Sequence, residues 1–229
     1  MSVGAATDLW RMSAGELAEA VRTRGASSLE VVEAHLRRIE AVDPSINAVP
    51  VVLAEQALAA ARAADRVVVR GAGLGPFHGV PFTVKSNIDV AGTPTTNGIR
   101  ALASAYPACD APVVERMRRA GGIPIGRSNM PDYAISWHTD SELYGATVNP
   151  WDPARTPGAS SGGEAAALAT GMSPLGLKND TLGSVPTGPT ISGCSAWNSP
   201  HVRRSACRVM KAPSPSRSGS PRDCRRRCR

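Results

Sequence analysis

The chain changes character near residue 185, and that change limits which residues can build a fold. Residues 1–184 hold 16 Lys+Arg and 18 Asp+Glu, a net charge of −2. Residues 185–229 hold 10 Lys+Arg and one acid, Asp223, a net of +9. The formal +7 therefore comes from the tail and does not by itself point to a polyanionic partner. Six prolines, eight serines and nine arginines crowd the tail without apolar periodicity. Its last stretch, 213–229, cannot bury enough apolar surface to offset its ordering entropy, and it reads as disordered. The remaining residues are long enough for one real core. No stretch approaches the roughly 20 apolar residues that span a membrane, and no secretory h-region is visible at the start, so the expected location is cytoplasmic.

Within 1–184 the pattern is that of an α/β protein. Residues 1–70 read as a helical segment. Ser13-x-x-Glu16 and Ser27-x-x-Glu30 are capping boxes, and each opens a helix. The second helix presents Leu29, Val32, Leu36, Ile39 and Val42 on one face, and Pro44 is expected to end it. His35 beside that face reads as a packed structural histidine. Leu53 to Asp65 is a third helical stretch. From 71 to 184 short apolar runs alternate with helices. Val80–Val84, Ile123–Ile125 and Leu175–Leu177 read as strands, with Lys85 at the end of the first. Asp110 and Pro112 are expected to cap a helix over Val113–Arg119, closed by Gly121-Gly122. Ser161-x-x-Glu164 reads as a third capping box, opening a helix over Gly162–Thr170. Strands alternating with helices give a sheet flanked by helices.

Two polar runs can carry chemistry. The first is Thr156-Pro157-Gly158-Ala159-Ser160-Ser161-Gly162-Gly163-Glu164, in front of a helix whose N–H groups and dipole favour negative charge. Gly158–Gly162 also fits G-x-S-x-G, but that motif needs a strand before it and an acid and a histidine after it. Asn149–Pro153 cannot be a central strand, and the only later histidine is His201, in the tail. The second run is Asn179-Asp180-Thr181-Leu182-Gly183-Ser184, whose Gly-Ser pair can present successive N–H groups to an oxyanion. Lys85 completes the set. Burial at the end of an apolar strand would lower the proton affinity of a lysine and let it serve a serine as a base.

The blocks Gly79-Val80-Pro81-Phe82-Thr83-Val84-Lys85-Ser86-Asn87-Ile88-Asp89, Gly92-Thr93-Pro94-Thr95-Thr96, Ser128-Asn129-Met130-Pro131, Asn149-Pro150-Trp151-Asp152, Gly158–Gly163 and Asn179–Ser184 follow in order. Together they resemble the amidase signature family, from about Asp8 to Ser184. The resemblance implies a mixed sheet flanked by helices, here incomplete, and a Ser–Ser–Lys hydrolase. Lys85 matches the base, Ser160 the bridging serine with its cis peptide bond, and Ser184 the nucleophile. Ser161 would support them, and the N–H groups of Thr181, Leu182, Gly183 and Ser184 would form the oxyanion hole. The implied substrate is a small-molecule amide, with no metal or organic cofactor, no membrane and no nucleic acid, and a homodimer is expected if the domain were complete.

The sequence departs from the family at Ala159 and Lys178, where glycine is usual, and entirely beyond His201. The expected cause is a frame shift near codon 185. An inserted or deleted base there should restore a family-like continuation. The alternatives are an inactive fragment with exposed sheet edges and the glutamine-hydrolysing A subunit of glutamyl-tRNA amidotransferase. Asn129–Tyr133 and Trp137–Asp140 look more like the stand-alone amidases. His138 and Asp140 read as loop structure. A nucleic-acid role for Arg203, Arg204, Arg208 and Arg225–Arg227 lacks interleaved aromatics apart from Trp197. A zinc site from His201, Cys207, Cys224 and Cys228 lacks tight paired spacing.

Overall fold

The structure, a computed structural model, describes residues 8–71 and 73–179. The tail read as disordered, and the run Thr181–Ser184, lie outside the described residues.

Both N-terminal capping boxes form. α1 (Ala14–Arg22) is capped by Ser13, whose Oγ accepts from Glu16 N at 3.3 Å, while Glu16 Oε2 accepts from Ser13 N at 2.7 Å. α2 (Ser28–Ile46) is closed in the same way by Ser27 and Glu30. Their apolar faces meet, with Leu17, Val21 and Val31 packed on Val80. Pro44 does not end α2. The helix runs on to Ile46, because a proline in the last turn removes one backbone bond without blocking the two residues after it. The stop is Asn47, in the left-handed region at φ 57°, whose N–H donates to Asp43 O at 2.7 Å. The Asp43 carboxylate accepts from Ala48 N and Val49 N.

β1 (Val51–Val52) leads into α3 (Ala54–Val69), which starts one residue later than expected and runs four further. Neither glycine nor proline interrupts it before Gly71, at φ 68°. Asp65, the expected end, instead turns its carboxylate to Ser28 N and Leu29 N at the start of α2.

β2 (Pro81–Lys85) and β3 (Ile123–Ser128) are buried at every position. Burial at every position suits central parallel strands covered on both faces. The sheet order is β1-β3-β2-β6, with β6 at Gly176–Leu177. β3, β2 and β6 run parallel, and β1 is antiparallel to β3, so the sheet is mixed. α4 (Pro112–Arg119) begins with Pro112 in its first turn, as expected, but Asp110 does not cap it. Asp110 is engaged elsewhere, accepting from Ala91 N at 2.8 Å and pairing with Arg118. Gly121, at φ 90°, closes the helix, and a Cβ there would sit 2.6 Å from His78 Cα. A small hairpin, β4 (Asp140–Ser141) with β5 (Gly145–Ala146), was not expected, nor was β1. α5 (Gly162–Ala169) packs over β2 and β3, with Ala166 and Ala167 in the core beside Ile123 and Ile125. Among the described residues no helix is long and apolar enough to cross a membrane.

His35 is fully buried, as the packed reading expected. Its Nδ1 donates to Val31 O at 2.8 Å, and its Nε2 has no partner. Burial pulls the imidazole down to about 4, so it is neutral at pH 7.

Candidate active site

Three parallel strands end at one edge of the sheet, where ligands bind in open α/β folds. β2 carries Lys85 to that edge, in register with Ser128 at the end of β3. β6 leads into Lys178 and Asn179. The loop 156–161 and the N-terminus of α5 cross this edge from above.

Lys85 is fully buried, and its Nζ donates to Ser160 Oγ at 2.8 Å and to Ser161 Oγ at 3.1 Å. The Ala159–Ser160 peptide is cis, and Gly158 before it has φ 87°. The turn is pinned by Thr139, whose Oγ1 donates to Gly158 O at 2.7 Å and accepts from Gly162 N. Gly163 lets α5 approach β3 closely, since a Cβ there would lie 2.3 Å from Asn129 O. Asn87 Nδ2 donates to Asn179 Oδ1, tying the loop after β2 to the segment after β6.

The third expected capping box does not form. Ser161 is the N-cap of α5 but makes no side-chain cap bond. Its hydroxyl instead accepts from Lys85 and donates to Asn179 O. Glu164 turns inward, where it is fully buried and accepts from Thr83 Oγ1 and from Ser128 Oγ at 2.6 Å. Both side chains have partners from distant strands, and these displace the local pairing. Burial pushes the Glu164 carboxyl up, while the two hydroxyls and the charges of Lys178 and Lys85 oppose that rise. Arg127 on β3 is also buried. Its Nη2 donates to Ile88 O at 2.7 Å and its Nη1 to Thr93 Oγ1, which holds the loop leaving Lys85. Burial brings its guanidinium down to about 10, against the field of Asp89, Tyr144 and Asp110.

Of the residues singled out in the sequence, Lys85, Ser160 and Ser161 come together. Thr181, Leu182, Gly183 and Ser184 lie outside the described residues. His138 is an exposed loop residue, as expected, whereas Asp140, also exposed, is not in a loop but opens β4, paired with Ala146. Sequence reasoning missed Glu164, Thr83, Ser128 and Arg127 as one buried polar network around Lys85. One signal was available. The chain has 23 arginines and only three lysines, and two of those lysines, Lys85 and Lys178, are buried at this edge. Buried lysines stand out in a chain so rich in arginine, because a lysine, unlike an arginine, can lose its proton when buried.

Comparison with known proteins gives this edge a context. The chain is 45% identical over 177 residues to the indoleacetamide hydrolase of Bradyrhizobium diazoefficiens, covering 77% of this chain and 34% of that protein. It is 44% identical over 187 residues to the glutamyl-tRNA(Gln) amidotransferase A subunit of Salinispora arenicola, covering 82% of this chain and 38% of that one. Its fold is similar to that of 6-aminohexanoate cyclic dimer hydrolase in complex with substrate, with a TM-score of 0.73 and 36% identity over 81% of this chain and 37% of that chain. The chain thus spans a little over a third of the length of these relatives. The family model for amidases matches residues 30–188. The chain therefore belongs to the amidase family, whose members are amide hydrolases.

Proposed function

We propose that this chain carries the acyl-transfer machinery of an amidase, which hydrolyses a carboxylic amide to an acid and ammonia or an amine. The observation that carries the reading is Lys85, fully buried with its Nζ 2.8 Å from Ser160 Oγ. A neutral amine there can take the Ser160 proton as Ser160 takes that of Ser184, and Ser184 Oγ then bonds to the amide carbon. The N–H groups of Thr181 to Ser184 stabilise the oxyanion. The C–N bond breaks as the proton returns through Ser160 to the leaving nitrogen. Water then attacks the acyl-enzyme by the same relay, and the Ser184 oxygen leaves with its proton restored. No step is routed through a metal or an organic cofactor. Residues 1–70 would act as a helical buttress and 71–184 as the part that bears the chemistry.

Indoleacetamide is the first substrate to try, given the 45% match to an indoleacetamide hydrolase. The matches to the amidotransferase proteins favour a second reading, glutamine hydrolysis for transfer to glutamyl-tRNA. A third reading is a chain that holds this edge without turning over. Ammonia release by the full chain from indoleacetamide and from glutamine separates the three. Lys85→Met and Ser184→Ala should each cut the rate at least about a thousandfold. Activity retained by either variant contradicts the assignment, and no activity from the parent leaves the third reading.

A further inference from the structure

In the run 132–140, Thr139 is the one buried residue, 2% exposed. Its hydroxyl serves two backbone groups at once. Oγ1 donates to Gly158 O at 2.7 Å and accepts from Gly162 N at 3.2 Å. Those groups belong to the second residue before Ser160 and the second after it. Between them the turn presents Ser160 and Ser161 to Lys85 Nζ. Gly162 opens α5, and its N–H is one of those a helix leaves without a partner of its own. The absence of a side chain there admits the hydroxyl, since a Cβ would lie 2.3 Å from Thr139 Oγ1.

Thr139 is itself held by the strands that bear the site. Thr147 N donates to Thr139 O at 2.8 Å, at the open end of the β4–β5 hairpin. Asn129 is fully buried and grips the same hairpin. Its Nδ2 donates to Gly145 O at 2.9 Å and to Thr147 Oγ1 at 3.0 Å, and its Oδ1 accepts from Ser141 Oγ at 3.0 Å. Asn129 directly follows Ser128, which is in register with Lys85. The ends of β2 and β3 therefore both reach the turn, β2 through Lys85 and β3 through Asn129, the hairpin and Thr139.

We infer that Thr139 is a positioning residue for the relay: by closing the turn 158–162 with one hydroxyl, it sets the Ser160 and Ser161 hydroxyls on Lys85. This rests on the proposed relay from Ser184 through Ser160 to Lys85. A hydroxyl donates and accepts together, whereas a valine of nearly the same shape does neither. Without it the turn loses the tie on both sides of Ser160, and a misplacement of about 1 Å costs a reaction roughly a hundredfold.

The test compares Thr139→Val, Thr139→Ser and Thr170→Val in the full chain. Thr170 Oγ1 donates to Ala166 O at the far end of α5, so its variant loosens that helix without touching the turn. In a crystal structure of Thr139→Val, Ser160 Oγ should lie beyond hydrogen-bond reach of Lys85 Nζ, more than about 3.5 Å away. Ammonia release from indoleacetamide should lose about tenfold to a hundredfold in kcat with KM unchanged. Thr139→Ser and Thr170→Val should stay within about threefold of the parent. Thr139→Ala removes the same two bonds without adding bulk and should repeat both effects of the valine. A Ser160 Oγ that keeps its hydrogen bond to Lys85 Nζ in these variants, or a kcat at the parent's level, overturns the inference. The distance needs no substrate, so it decides the inference even for a parent that releases no ammonia, which is the failure of the proposed function itself.

Discussion

His35 gives the chain a defined weakness to acid. Its ring is fully buried in α2, with Nδ1–H on Val31 O and Nε2 facing no acceptor. A proton on Nε2 would place an unpaired charge in the core, which is why burial holds the folded-state value at about 4 against 6.5 in the unfolded chain. A depressed folded value means that the stability is complete above pH 6.5 and is lost as pH falls through about 4. The gap of roughly 2.5 units corresponds to about 3 kcal/mol, a large part of the 5–15 kcal/mol typical of a folded domain. With a urea dependence of about 2–3 kcal/mol per molar, the unfolding midpoint should drop by about 1 M between pH 7 and pH 4 from this group alone. The assay is urea unfolding of the full chain across that range, for the parent and for His35→Met, which keeps the volume and removes the titration. Asp43 and Glu164 also titrate, with folded values shifted upward by burial, but they do so in both proteins and cancel in the difference. The difference should open by about 3 kcal/mol toward pH 4. Parallel pH profiles for the two proteins would refute the reasoning.

Two further outcomes concern the floor of the candidate site. Gly176→Ala drives a Cβ into the Glu164 carboxyl and should cost about 1–3 kcal/mol in urea unfolding, with most of the loss relieved when Glu164→Ala is added. Glu164 has a raised folded value, so its contribution is complete below about 4.5 and is lost as pH rises through that folded value. Glu164→Gln should flatten this alkaline-going loss, and an unchanged slope would show that the carboxyl does not titrate in the core.

Much of the fold was legible because its signals are local. Ser13–Glu16 and Ser27–Glu30 are capped by residues three apart, so the chain itself supplies both partners. Ser161–Glu164 shows the same pattern and reads the same way, yet its partners are Lys85, Thr83 and Ser128, brought in from strands 36 to 81 residues away. Spacing within one helix carries no trace of them. α2 outruns its expected end because the left-handed Asn47, and not Pro44, is the stop. β1, β4 and β5 have two residues each, too few for any alternation to show. Lys85 was legible because a lysine closing an apolar strand is chemically out of place. Lys178 stands out in the sequence as a departure, but its place at the buried edge depends on the pairing of β2 with β6.

The central claim is that a buried lysine activates a serine through Ser160. It is tested most directly by treating the full chain with a phosphonylating serine probe and mapping the adduct by mass spectrometry. The account predicts one adduct, on Ser184, formed in the parent and lost in both Lys85→Met and Ser160→Ala. An adduct on another serine, or labelling of Ser184 that is equally fast without Lys85, would contradict it.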